Sequence, residues 1–332
     1  MEKITKNIVE ISIAGKNVTG DVSRYLSKIT YTDKEEEESD DVSLTFEDTS
    51  AIWQSGYYPE QGDTLQVKLG TPGNMLDCGL FEIDEIELEL SPDTLTVKGI
   101  ATAITQSLRT RNSKAFEKQS LRKIAQYFAD KHQLKLIGKT GELQKIEIGR
   151  KTQDNQTDIS FLTSLAKEYG LIFSVRGDRL VFMDEEELDK QDSILTIDRS
   201  QMSKARFRDK TSQTFSSAVI SKRNVKTNKV VRWKIEPSGK EGEQDVLVIN
   251  GSTENDGQAK AKTESSLKKK NNEKVTGSFS VPGNPQLVAG VNIELTGIGA
   301  FSGKWHIVSS THTIDTNGGY ITDVEVRKII EQ

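Results

Sequence analysis

The chain has 332 residues, enough for two or three domains, with 34% hydrophobic and 29% charged residues and a formal net charge of -5. That balance fits modest cores, or surface buried against copies of the same chain, and gives no general pull toward nucleic acid or anionic membrane. Cys78 is the only cysteine, so no intrachain disulfide forms and a reducing site of synthesis is expected.

The first hundred or so residues read as β. Val9-Glu-Ile11-Ser-Ile13 alternates, and Val42-Ser-Leu44-Thr-Phe46 follows the acidic stretch Glu35 to Asp41. Leu65-Gln-Val67-Lys-Leu69 is opened by Gly62-Asp63 and closed by Gly70-Thr-Pro-Gly73. Phe81 and Ile83 are odd-numbered, whereas Ile86, Leu88 and Leu90 are even, so one face for both sets requires a bulge near Asp84-Glu85. Ser91-Pro-Asp93 then turns the chain into Leu95-Thr-Val97. Short strands at this spacing predict a small barrel or sandwich.

Around Thr105 the period changes. Ser120 caps a helix whose apolar positions are Leu121, Ile124, Ala125 and Phe128. A second helix starts at Asp158, carries Ile159, Leu162, Leu165, Ala166 and Tyr169, and ends at Gly170, a residue suited to a left-handed terminus. Leu171 to Val175, a turn at Arg176-Gly-Asp178, and Leu180-Val-Phe182 make a hairpin. From about Ser203 the chain is β again, interrupted by a helix near 257–270 that Asp256 or Asn255 caps. Its apolar content is only Ala259, Ala261 and Leu267, so burial is shallow and Lys268 to Asn272 is expected in water.

In the last third, Pro282 and Pro285 with Gly283 stop a strand at Val281, and Gly290 turns the chain into Val291-Asn-Ile293-Glu-Leu295. Gly297, Gly299 and Gly303 make a tight reversal before Trp305-His-Ile307. The last strand keeps Tyr320, Val324 and Val326 on one face. The segment serves backbone geometry and contains no nucleophile or phosphate cradle.

Enzymatic chemistry finds little support. On one strand over 305–314, His306 and His312 share a face roughly 20 Å apart, whereas ligands of one zinc sit about 2 Å from the ion. With His132 they read as surface or rim histidines. Carboxylates at 35–41, 84–89 and 184–187 read as solvated faces, and no Gly-x-Ser-x-Gly elbow is present. Gly297-x-Gly299-x-x-x-Gly303 lacks dinucleotide spacing. Lys204, Arg206, Arg208, Lys210, Lys222, Arg223, Lys226, Lys229, Arg232 and Lys234 stand against Asp209 alone. This ribbon, with Phe207, Phe215 and Trp233, has three readings: the solvent side of a hairpin, a contact to a neighbour's acidic N-terminal domain, or a nucleic-acid contact. Leu121 to Leu136 resembles the first helix of a peptidoglycan-binding LysM module.

Three separated segments resemble the phage late control D family, the baseplate hubs of contractile tails, phage-tail-like bacteriocins and related injection systems. Near the N-terminus these are Ser39 to Asp48, Trp53 and Pro59 to Gly70; in the middle, Asp158 to Val175 and Asp178 to Phe182; at the C-terminus, the Ala-Lys helix, Pro282 to Pro285, Gly290, Gly303-Lys-Trp305 and His312. The resemblance implies a homotrimeric hub whose N- and C-terminal β domains form a ring of six similar units, adapting a six-fold tail tube to a three-fold central spike. No spike repeat follows before Gln332, so the spike is expected to be a separate chain.

The sequence therefore predicts a predominantly β, α+β protein: two β-barrel-like domains at 1–108 and 203–332 flanking a small α+β domain at 109–202. It predicts no catalytic residues, no cofactor and no metal. The expected partners are two further copies, tail tube, central spike and other baseplate proteins, with no membrane insertion and no specific nucleic-acid binding. The expected location is the baseplate of a virion or tail-like particle, reached from the host cytoplasm by lysis or within the particle, since Met1 to Lys6 lacks an apolar signal core. The alternative reading is a peptidoglycan-binding or hydrolysing tail protein.

Overall fold

A computed structural model describes residues 7–332 except 36–39, 55–57, 102–107, 109, 139, 177–178, 211–214, 216, 224–229, 236–245, 250–255, 317 and 331–332. The first strands are β1 (Ile8–Ile13), β2 (Lys16–Asn17), β3 (Leu26–Lys34), β4 (Asp41–Glu47), β5 (Thr64–Thr71), β6 (Asn74–Glu89) and β7 (Thr94–Ala101), with a helical turn α1 (Thr19–Val22). Their alternation buries most of one face. Ile29, Leu44, Phe46, Leu65, Val67, Phe81 and Val97 pack in one cluster, and Trp53 lies stacked on Phe46 with ring centroids 4.3 Å apart. The bulge expected near Asp84 is present: Ile83 pairs with Gly99 and Glu85 with Lys98, leaving Asp84 as the extra residue.

The middle region holds β8 (Arg111–Ser120), α2 (Leu121–Lys131), β9 (Lys135–Ile137), α3 (Thr140–Lys145), β10 (Glu147–Thr157), α4 (Asp158–Glu168), β11 (Leu171–Arg176), β12 (Arg179–Asp184) and α5 (Glu185–Lys190). Both expected helices have their caps. Ser120 accepts from Lys123 N and Thr157 from Ser160 N at 3.1 Å, and Gly170 follows α4 at φ +71. Leu121, Ile124, Phe128, Phe161, Leu162 and Leu165 close a second core, separate from the first. The hairpin β11–β12 forms as expected, though its Gly177-Asp178 tip lies outside the described residues.

The rest comprises β13 (Thr196–Asp198), β14 (Ser203–Asp209), β15 (Ser217–Arg223), β16 (Val230–Ile235), β17 (Val246–Ile249), α6 (Asp256–Asn272), β18 (Val275–Pro282), β19 (Asn292–Thr296), β20 (Gly303–Asp315) and β21 (Gly319–Lys328). A third core gathers Phe279, Leu287, Ile293, Leu295, Trp305, Ile307, Val324 and Val326. Asp256 is the first helical residue rather than a cap, and Asn255 lies outside the described residues.

Two barrel-like domains were expected, and the sheet corrects this. Strands of both ends belong to one 13-stranded sheet, in the order β14-β18-β21-β20-β3-β4-β7-β6-β5-β1-β2, with β13 and β19 attached beside β20. Among the described residues no ladder closes either half into a barrel. The cause is β20, whose 13 residues outrun one neighbour. Gly303 to His306 pair with β19, whereas Ser309 to Asp315 pair with β3. One strand therefore serves both ends of the chain.

Candidate functional site

The most constrained polar geometry lies where the three regions meet. His306 on β20 and Asn292 on β19 are buried, and Glu35, just past β3, is 4% exposed. Asn292 donates through Nδ2 to the carbonyls of Leu188 at 2.6 Å and Gln191 at 2.9 Å, at the end of α5. Its Oδ1 therefore faces His306 Nδ1 as an acceptor, at 2.7 Å. His306 Nε2 lies 2.7 Å from Glu35 Oε1. This chain ties the N-terminal strand, the C-terminal sheet and the middle region together. Arg327 adds ion pairs to Asp189 at 2.7 Å and Glu185 at 3.4 Å, and Lys304 donates to Asp189 O. Ala289 N donates to buried Asp33, a second link between the C-terminal loop and β3.

The loop around Pro282 fits the backbone role read from its sequence. Gly283 donates to Tyr320 O at 2.8 Å, and a Cβ there would lie 1.9 Å from the Tyr320 ring. Only glycine permits that approach. His312 is buried beneath this loop. Its Nε2 donates to Leu287 O at 3.0 Å, which leaves Nδ1 to accept from Tyr320 Oη at 2.8 Å. Desolvation pushes the His312 pKa down, against smaller opposing contributions from the Leu287 carbonyl and Asp33, so the ring is held neutral.

None of the three histidines is at the surface or rim. His132 is buried too, with Nε2 at 2.7 Å from Asp158 Oδ2. Nor do His306 and His312 share a face. A bulge at Val308 shifts the register between Ile307 and Ser309, so His312 shares the face of Trp305 and Ile307 while His306 points the other way. Among the described residues no three His, Cys, Asp or Glu side chains come together as metal ligands.

Asp158, the first residue of α4, is fully buried. Burial raises its pKa, but hydrogen bonds from Gln153, Lys131 and His132 outweigh that and hold it below the usual carboxylate range. Lys131 Nζ lies at 2.5 Å, Gln153 Nε2 at 2.7 Å and Asn112 Nδ2 at 3.3 Å. An acid at a helix start, with four donors and no hydroxyl or thiol on it, is a structural brace.

The basic ribbon divides. β14 is an edge of the large sheet, with Lys204, Arg206 and Arg208 exposed and Phe207 in the third core. β15 and β16 belong to a separate three-stranded sheet, order β16-β15-β17, packed near α6, where Arg232 and Lys234 are exposed. The break comes where Lys210 N bonds Lys274 O and the chain leaves the large sheet. Lys226 and Lys229 lie outside the described residues, as does the acidic stretch 36–39. Of Lys268 to Asn272, all expected in water, Lys270 is exposed, but Lys268 binds Glu186 at 3.0 Å, Asn272 binds Glu185 at 2.9 Å, and Asn271 binds the backbone of Phe215. Thin apolar content left this helix to be anchored by polar contacts.

A cleft of about 680 Å³ lies between this helix and the sheet. Its floor carries a cross-strand row, Arg206–Ser278–Glu325–Ser309–Lys34, running over five strands. The alternating charge marks a wet, polar surface rather than a small-molecule pocket. Asn292, Glu35, Asp33 and Arg327 were missed by sequence reasoning. The one visible signal was a polar residue wedged against core positions, as Asn292 precedes Ile293 and His306 separates Trp305 from Ile307.

One open sheet is thus shared by both chain ends and tied to the middle region by buried polar bonds. The model of the phage tail baseplate hub (GPD) family matches residues 87–318, and the chain belongs to that family. It is 26% identical over 174 residues, 52% of this chain and 44% of the relative, to the probable baseplate hub protein of Escherichia phage 186. The match thus spans less than half of that relative. Among solved structures, the 43 kDa tail protein of prophage MuSo2 from Shewanella oneidensis has a TM-score of 0.75 at 19% identity, covering 98% of this chain and 99% of that one. An Escherichia coli component of the type VI secretion system has a TM-score of 0.60 at 11% identity, covering 97% and 76%. At these identities the structural likenesses bear on the fold.

Proposed function

We propose that the protein is a non-enzymatic hub that assembles as a homotrimer on the tail axis and adapts a six-fold tube to a three-fold spike. The observation that carries this is the shared sheet. β20 holds the N- and C-terminal β regions side by side, and the strand order ends at β14 on one side and β1–β2 on the other. Three such chains laid end to end present six β regions around one axis, and closure would pair edges otherwise left open. The basic edge strand β14 and the acidic N-terminal region favour a head-to-tail register, since opposite charges set orientation.

The three cores support a division near residue 108, whereas Leu195, Ile197 and Met202 belong with the third core, so the second division falls before β13 rather than at 202. The Asn292–His306–Glu35 chain would hold the middle region outside the ring. Tube, spike and other baseplate proteins are the proposed partners, and the baseplate of a virion or tail-like particle the proposed location. Nothing among the described residues favours the peptidoglycan reading. Stoichiometry is the test: quantitative mass spectrometry of purified tails should give three copies per particle, and six would reject the adaptor. Charge reversal at Arg223 and Lys226 should reduce assembly; unchanged assembly would make the ribbon plain solvated surface.

A further inference from the structure

The N-terminal sheet has a notch. Across β4, β7 and β6 runs a row of directly paired residues, Phe46, Leu95 and Leu88. Phe46 and Leu95 are fully buried, whereas Leu88 is 43% exposed and Leu90 beyond it 65%. All three row members lie on the same face. The exposure begins where the next strand is missing. β5 pairs with β6 only as far as Glu82, and the ladder ends as Gly62, at φ +88, bonds Ile83 O and turns the preceding chain away. Beyond it, the outer edge of Glu85 to Leu90 makes no ladder hydrogen bond among the described residues. Just before this stretch, the Gln61 side chain donates to Asp84 O at 3.4 Å.

The opposite face of this stretch is acidic. Glu85, Glu87 and Glu89 are exposed there, and among the described residues Lys98 is the one cation paired to them, at 3.1 Å from Glu85 and 3.2 Å from Glu87. Three carboxylates against one ammonium leave a net negative face. An open edge, apolar on one side and anionic on the other, fixes what completes it. A strand's backbone satisfies the edge, its apolar residues cover Leu88 and Leu90, and its cations meet the glutamates.

We propose that the end of β6, Glu85 to Leu90, is a docking edge for an extended segment of another protein in which apolar residues alternate with Lys or Arg. The contact goes beyond trimerisation and depends on neither the copy number nor the axial position proposed above. Because the notch opens beside the β6–β7 turn, away from Ala101 where β7 leads toward the middle region, the partner approaches one end of the sheet.

The test uses the full-length protein and a fluorescent synthetic peptide of alternating Lys and Val, read by anisotropy. Saturable binding is expected. The Leu88→Ser/Leu90→Ser double variant, whose targets are too exposed to hold the core, should weaken it by about tenfold or more, while Ile330→Ser, at another exposed apolar site, should not. N-methylation of alternate peptide amides should abolish binding, and Glu89→Lys, which leaves two carboxylates against two ammonium groups, should remove the preference for the Lys/Val peptide over a Glu/Val peptide. No saturable binding, or equal binding of the methylated peptide or of duplex DNA, would overturn strand docking. Self-association of the protein alone that the double serine variant loses would overturn the assignment to another protein, because the occupant would then be a second copy.

Discussion

The floor beneath β3, β4 and β7 and the seam where α5 meets β19 and β20 hold the molecule together by opposite means. The first is dry, built of Ile29, Leu44, Phe46, Leu95 and Val97 in alternating strands. The second is polar, with Asn292, His306, Glu35 and Arg327 joined by directional bonds. Apolar contact holds a sheet together but tolerates sliding. A buried hydrogen-bond chain fixes one arrangement, because any other leaves a group unpaired. The difference teaches that this hub-family chain uses packing inside its regions and polar register between them.

The largest effect should come from the dry floor. Phe46→Ala removes a fully buried ring stacked on Trp53 and should cost about 4 kcal/mol in urea unfolding of the full chain. At the seam, His306→Ala strands Glu35 and Asn292 and should cost about 3 kcal/mol. It should also separate the regions, so that hydrogen exchange rises at Leu188 to Gln191 before it rises at Leu44 to Phe46. Equal and simultaneous exchange at both places would erase the distinction between floor and seam. Thr157→Ala, which removes a helix cap inside the middle region, should cost only about 1 kcal/mol.

Acid sharpens the contrast further. The Asp158 pKa is depressed in the folded chain, so its contribution is present above the unfolded value of about 3.9 and lost as pH falls through the lower folded value. Melting temperature should therefore drop on acidification below about pH 4, and Asp158→Asn should flatten that drop. His312 works the same way at higher pH. Its folded pKa is lowered, so the unfolded chain binds the extra proton, and stability falls as pH drops below about 6.5. His312→Gln should remove that component while Asp158→Asn leaves it.

Much of the floor was legible in the sequence, because alternation and caps are local signals. The bulge at Asp84 followed from a parity change between Ile83 and Ile86, and Ser120 and Gly170 marked helix ends. The seam was not legible. Pairing of β20 with β3 joins residues 275 or more positions apart, as Ser309 faces Lys34. The bulge at Val308 has no parity signature, since Trp305-His-Ile-Val already breaks alternation, and so the faces of His306 and His312 were misjudged. Lys268 to Asn272 read as solvated because nothing local reveals Glu185 and Glu186 across the gap.

The most direct test of the hub account is a three-dimensional reconstruction of the tail by electron microscopy, with the protein located in the density. The account predicts one ring on the axis made of three copies, six β regions around a central channel, and the helix-bearing middle regions outside it. Six copies in the ring, or density for this chain away from the axis, would contradict it.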